Sequence, residues 1–211
     1  MTKEGPTSAV RSALRRHRPI LLFLSGPNGA GKSTFHRLFL RPLGLPFVNA
    51  DAIALELRET RAVRAEEVDR LAFDRAEELR SGLVVQRTSF CTETVFSDPA
   101  GAKLELLRRA RRNGFWIVLV FIGLDSPELS LARVVQRVAE GGHDVADDKL
   151  FDRYPRTLAN LRAAIPLVDE AFVLDNSSDV EPFRLVAIYA RGRLSKRGRQ
   201  TAAWAAGLPD L

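Results

Sequence analysis

Short runs of consecutive apolar residues alternate along the chain with longer amphipathic stretches. Pro19–Ser25 (PILLFLS) and Phe115–Leu124 are continuous apolar runs, the pattern of parallel strands buried on both faces. Phe47–Ala50, Ser89–Thr94, Val168–Leu174 and Arg184–Ala190 predict further strands. Between them, helical spacing covers Lys32–Leu40, about Ala52–Thr60, Ala65–Leu79, Pro99–Arg112, Pro127–Glu140 and Asp148–Ile165. Breakers close several of these helices: Arg41-Pro42 the first, Ser81-Gly82 the third, Asn113-Gly114 the fourth. Asp51 sits where the second helix would take its N-cap. Strands alternating with helices predict an α/β fold of three layers, α/β/α, around a mainly parallel sheet.

The expected organisation is one domain over residues 19–190, preceded by a polar lead-in at 1–18 and followed by a basic tail at 191–211. Gly141–Val145 reads as a joint between two helices, and the tail (RGRLSKRGRQ from Arg191) is expected to be loosely ordered. The longest apolar run falls short of the roughly 20 residues of a membrane helix. Arg11, Arg15, Arg16 and Arg18 precede apolar residues as in a signal peptide, but Ile20–Leu24 is too short for its ~7–15-residue core. A cytoplasmic location, with no membrane partner, is therefore expected. A single cysteine, Cys91, excludes an internal disulfide, and His17, His36 and His143 show no metal-ligand spacing. The net charge of +6 favours anionic partners.

One motif narrows the chemistry. Gly26-Pro27-Asn28-Gly29-Ala30-Gly31-Lys32-Ser33, followed by Thr34, fits G-x-x-x-x-G-K-[ST] at every fixed position, after a predicted strand and at a helix start. Glycines let successive N–H groups face phosphate oxygens, Lys32 reaches the β- and γ-phosphates, and the Ser33 hydroxyl ligates Mg²⁺. ATP and Mg²⁺ are the implied cofactors.

Elimination then selects the class. The Asn-Lys-x-Asp motif of a GTPase is missing, and Glu140-Gly141-Gly142-His143 does not match a transporter signature. Hydrolytic ATPases follow a strand-end Asp with Glu, whereas Asp125 precedes Ser126 and Asp175 precedes Asn176. A small kinase remains, which needs a carboxylate on the acceptor hydroxyl and arginines on the γ-phosphate. Asp51 follows the second strand beside the phosphate loop, and Glu93-Thr94 ends another strand. Arg133 and Arg137 share a helix face, while Arg153, Arg156, Thr157 and Asn160 share one on the next helix. Together they suggest a helical lid at about 133–160.

These residues resemble the zeta toxin family of P-loop kinases. The matching pieces are GPNGAGKST (Gly26–Thr34), VNADAIA (Val48–Ala54), SFCTETVFS (Ser89–Ser97), RVVQRVAEGGHDV (Arg133–Val145) and RYPRTLANL (Arg153–Leu161). The resemblance implies transfer of the ATP γ-phosphate to the amino-sugar 3′-hydroxyl of UDP-N-acetylglucosamine, and an antitoxin protein as partner. Asp51 matches the general base, Glu93 and Thr94 the groups holding the sugar nucleotide, and Arg137 and Arg153 the lid arginines. Arg133 is a weaker match, and His143 reads as structural. Ala146 replaces a proline common in relatives, Pro155 predicts a kink or break in the helix carrying Arg153, and the chain is shorter than plasmid-borne toxins. Two other readings stand beside this one: a kinase for another metabolite or an antibiotic, and a basic nucleic-acid-binding protein or polynucleotide kinase. The scarcity of aromatics in the tail disfavours nucleic acid.

Overall fold

The computed structural model describes Ser12 and residues 18–60, 64–139 and 147–211. A seven-stranded sheet runs in the order β2-β3-β1-β4-β5-β6-β7. Its strands are β1 (Ile20–Ser25), β2 (Phe47–Val48), β3 (Phe90–Thr94), β4 (Trp116–Gly123), β5 (Glu170–Asp175), β6 (Arg184–Ala190) and β7 (Arg193–Arg197). The first five are parallel, and β6 and β7 extend the edge antiparallel. The helices are α1 (Lys32–Phe35, continued by a π turn at His36–Leu40), α2 (Ala50–Glu59), α3 (Val68–Val85), α4 (Ala102–Arg112), α5 (Pro127–Ala139) and α6 (Asp147–Ala164).

The two-residue period of a strand divides the apolar runs between two cores. Leu21, Phe23, Ile117, Leu119, Phe121, Ala171 and Val173 face a core closed by α3, α4, α6 and Trp204. Their neighbours Ile20, Leu22, Leu24, Val118, Val120, Ile122, Phe172 and Leu174 face the opposite core, with Phe35 and Leu40. A run that is apolar on both faces is stable only when both are covered, which gives three layers.

Several boundaries differ from expectation. Strand β2 stops at Val48, and the following helix starts at Ala50 because Asn49, not Asp51, is its N-cap. The Asn49 Oδ1 accepts from the N–H groups of Asp51 (2.7 Å) and Ala52 (3.4 Å). Helix α3 runs through Ser81-Gly82 to Val85, since burial of Arg80 and Val84 continues its inner stripe. Helix α6 spans Pro155 without a break. The joint at 141–145, with His143 and Ala146, lies outside the described residues.

The tail is not loose. Arg193–Arg197 pairs with β6, and Trp204 inserts into the core beyond it. Its indole occupies the space over Gly123, where a Cβ would lie 2.1 Å from the ring, so only glycine fits there. The indole N–H donates to Asp175 Oδ1 (3.0 Å). Burial pushes the Asp175 carboxyl up, but hydrogen bonds from Ser177, Arg184 and Trp204 outweigh it and hold it below its ordinary value. Replacing Trp204 by Ala removes a large buried ring and one of the side-chain hydrogen bonds that hold Asp175, so we expect a loss of about 3–5 kcal/mol. Equilibrium denaturation in urea measures it; a cost near zero would mean that the tail packs independently of the domain.

Candidate active site

Parallel pairing decides which chain segments meet. Leu24 and Ser25 of β1 lie opposite Glu93 and Thr94 of β3, so the phosphate loop leaves the sheet beside that pair. The loop must pass close under β4: a Cβ on Gly26, at φ +147°, would lie 2.0 Å from the Ile122 carbonyl oxygen. It is clamped from outside by Asn176, whose Nδ2 donates to the Ala30 carbonyl (3.0 Å), and by Ser130, whose hydroxyl donates to that of Asn28 (2.7 Å). Asn176 immediately follows Asp175, so the Trp204 anchor reaches the loop through one peptide unit.

Inside the loop, the Lys32 ammonium donates to the carbonyls of Gly26 (3.0 Å) and Pro27 (2.8 Å). Burial lowers its pKa, opposed by Glu93 and Asp51 and assisted by Arg137. The Ser33 hydroxyl donates to the Glu93 carboxylate at 3.1 and 3.3 Å from its two oxygens. Burial pushes the Glu93 carboxyl up, while Lys32 and the Ser33 hydroxyl pull it down. Asn49 adds a small further pull in the same direction, so the side chain that caps α2 also lies near this carboxylate. Asp51, in the first turn of α2, is exposed at the cleft wall. The Thr94 hydroxyl accepts from the Phe96 N–H (3.2 Å), shaping the turn after β3.

A cleft of about 590 Å³ joins these groups: Lys32, Ser33, Asp51, Glu93, Thr94, Arg137 and Arg153 all line it. Asn28, Gly29, Gly31 and Thr34 of the loop line it as well, whereas Ala30 is buried beneath. Arg133 lines the same cleft but is tied to the loop after β5, donating to the Asn176 carbonyl (2.6 Å) and to Asp179 (2.9 Å). Arg153 sits one residue before the part of α6 that is fastened down. Tyr154 donates to the Leu124 carbonyl (2.6 Å), Thr157 to that of Val95 (3.1 Å), and Asn160 to those of Phe96 and Asp98. Helix α6 from Tyr154 onward is thus part of the wall. Arg80, Lys103 and Phe73 also line the cleft, although a reading of the sequence does not select them. The signal was the stripe Val68, Ala72, Ala76, Arg80, Val84 at i, i+4 spacing, which puts Arg80 on a buried face.

A parallel α/β sheet with a phosphate loop at β1–α1, and a carboxylate against the loop serine, defines a P-loop phosphotransferase of the kinase type. The Zeta toxin model matches residues 7–195, and the chain belongs to that family. An uncharacterized protein of Haemophilus influenzae is 32% identical over 133 residues, 63% of this chain and 91% of that protein. A solved chain of the PezAT chromosomal toxin–antitoxin system of Streptococcus pneumoniae shares the fold at a TM-score of 0.60 and 20% identity, over 96% of this chain and 83% of that one. The AvrRxo1-ORF1:ORF2 complex with ATP does so at 0.59 and 18%, over 90% and 64%. Among the described residues, no helix is long and apolar enough to cross a membrane.

The Glu93 shift has a consequence for stability. Its folded-state pKa is raised, so its ionisation opposes folding: stability is full below the ordinary Glu value and falls as pH rises through the folded value. Glu93→Gln removes that loss. Without nucleotide or metal, the variant should unfold at a higher temperature than wild type at about pH 8, with the difference vanishing near pH 4. Thermal scans at both values check this, and an equal shift at both would contradict it.

Proposed function

We propose that this chain transfers the γ-phosphate of ATP to a hydroxyl of a UDP-activated amino sugar resembling UDP-N-acetylglucosamine. The observation that carries the reading is the Ser33–Glu93 contact, which joins the phosphate loop to the acceptor side of one cleft. The loop donors would hold the triphosphate, with Lys32 exchanging its two loop carbonyls for the β- and γ-phosphate oxygens. Ser33 and Glu93 present hard oxygens side by side, which fits Mg²⁺. When bound, the ion neutralises charge on the transferring phosphate.

Asp51 is the general base. It is solvent-accessible, fixed by the Asn49 cap, and close enough to Lys32 and Glu93 to influence both electrostatically. It takes the proton of the attacking hydroxyl, while Glu93 and Thr94 orient the acceptor. Arg137 and Arg153 stabilise charge on the phosphoryl group from the opposite wall. The basic tail is built into the sheet edge as β7, which does not favour a free nucleic-acid-binding arm. The toxin–antitoxin origin of the PezAT relative supports an antitoxin protein as partner. A cytoplasmic site of action suits these substrates.

The test is ATP turnover across UDP-sugars and other alcohols. UDP-N-acetylglucosamine should stimulate it, with Lys32→Ala lowering kcat/KM by ~10²–10³ and Asp51→Asn lowering kcat by ~10²–10⁴. Stimulation only by a different alcohol would keep the kinase and replace the acceptor with another metabolite or an antibiotic. Full activity in Asp51→Asn would remove the base assignment.

A further inference from the structure

The phosphate loop is rich in glycine, so its own side chains do little to fix the directions of its peptide groups. Two side chains from distant elements take hold of its carbonyls instead. The hydroxyl of Ser130, near the start of α5, donates to the Asn28 carbonyl (2.7 Å), and the carboxamide of Asn176, just after β5, donates to the Ala30 carbonyl (3.0 Å). Each clamp stands where a glycine side chain would be. A Cβ on Gly29 would lie 2.9 Å from the Ser130 carbonyl oxygen, and one on Gly31 2.7 Å from Asn176 Nδ2. The two glycines thus admit the clamps as well as the turns.

A trans peptide is planar, with its C=O and the following N–H pointing in opposite directions. Holding the Asn28 carbonyl outward therefore aims the Gly29 N–H inward, and holding the Ala30 carbonyl does the same for the Gly31 N–H. Gly29 and Gly31 both line the cleft. Neither clamp serves its own element. A helical serine can return its hydroxyl to the carbonyl one turn back, but Ser130 is buried and spends it on the loop. Asn176, also buried, engages each of its polar atoms on a different segment. Its N–H donates to the Gly123 carbonyl (3.0 Å), its C=O accepts from Arg133 (2.6 Å), and its Oδ1 accepts from the Phe183 N–H (3.2 Å). One residue therefore joins the end of β4, the start of β6, the loop and helix α5. On α5, Arg133 and Arg137 follow Ser130 at i+3 and i+7 and so share its face.

We infer that Ser130 and Asn176 are positioning residues for phosphoryl transfer, Ser130 aiming the Gly29 N–H and Asn176 the Gly31 N–H at the phosphates of the nucleotide. The inference rests on the kinase reading above and deepens it, assigning two side chains that act through the loop. A donor already aimed gives up no freedom when the nucleotide arrives, so the clamps strengthen binding without contributing a charge of their own. They also set the loop against the opposite wall. Ser130 belongs to the helix that carries Arg137, and Asn176 holds Arg133 of the same helix, so the loop donors and the arginine across the cleft share one frame.

The experiment uses the full chain with isotope-labelled glycine and follows the assigned Gly29 and Gly31 amides by NMR, while a non-hydrolysable ATP analogue and Mg²⁺ are titrated to saturation. In wild type both amide protons should move downfield as they bond to phosphate oxygens. Ser130→Ala should remove most of the Gly29 shift and leave that of Gly31; Asn176→Leu, of similar volume, should do the reverse. By calorimetry each variant should bind the analogue roughly 10-fold more weakly, the effect of one misdirected donor to a charged group. A purely structural role would lower the unfolding temperature without separating the two glycines. If both shifts survive in both variants, or are lost together in either, the positioning roles are wrong while the phosphate loop and the kinase reading stand. If wild type does not bind the analogue, the kinase reading falls and this inference with it. Ser130→Ala removes only a hydroxyl, so its effect on Gly29 alone gives the result should Asn176→Leu fail to fold.

Discussion

A buried carboxylate held against the phosphate-loop serine is the interaction on which the rest of this molecule turns. Glu93 accepts from Ser33 beside a buried Lys32, and each charge offsets part of the desolvation of the other. The register of two parallel strands makes the meeting unavoidable: Leu24 is paired with Glu93, and Ser25 with Thr94. Any slip of that pairing would turn Glu93 toward the core or move it along the loop. The apolar residues on both faces of β1 and β3 thereby fix the position of a polar pair at their ends.

The same logic extends outward through side chains that serve two segments at once. Asn49 caps α2 through the Asp51 and Ala52 N–H groups and lies near Glu93, so the helix carrying Asp51 starts beside the loop carboxylate. Asn176 clamps the loop at Ala30 and accepts from the Phe183 N–H, while its neighbour Asp175 is gripped by Arg184 and Trp204. The site is held by the termini of five strands and by residues near the end of the chain. Such a frame preorganises donors for a charged ligand.

Much of this was legible in the sequence. The continuous apolar runs became β1 and β4, and the glycine-rich motif lies between β1 and α1 as its spacing requires. What escaped did so for identifiable reasons. Asn49 and Asp51 are both good capping residues two positions apart, and only the extended backbone at Asn49 decides between them. Ser81-Gly82 reads as a stop, but tertiary burial of Arg80 and Val84 outweighs local propensity and carries α3 onward. The tail is polar because β7 is an exposed edge strand, and it is held by its ladder to β6 and by Ala202, Trp204, Ala205 and Leu208 entering the core, Trp204 in the space left by Gly123. Arg80 and Lys103 were hidden because isolated basic residues ordinarily sit in solvent.

The central claim is that Ser33 and Glu93 act as one device for a magnesium-bound triphosphate. A double-mutant cycle with Ser33→Ala, Glu93→Gln and the pair, reading ATP affinity by calorimetry with and without Mg²⁺, tests it most directly. With Mg²⁺, each single change should weaken binding by a similar factor and the double change by little more; without Mg²⁺, all four proteins should bind alike. Additive losses that persist in the absence of Mg²⁺ would contradict the claim, reducing the contact to local packing of the loop.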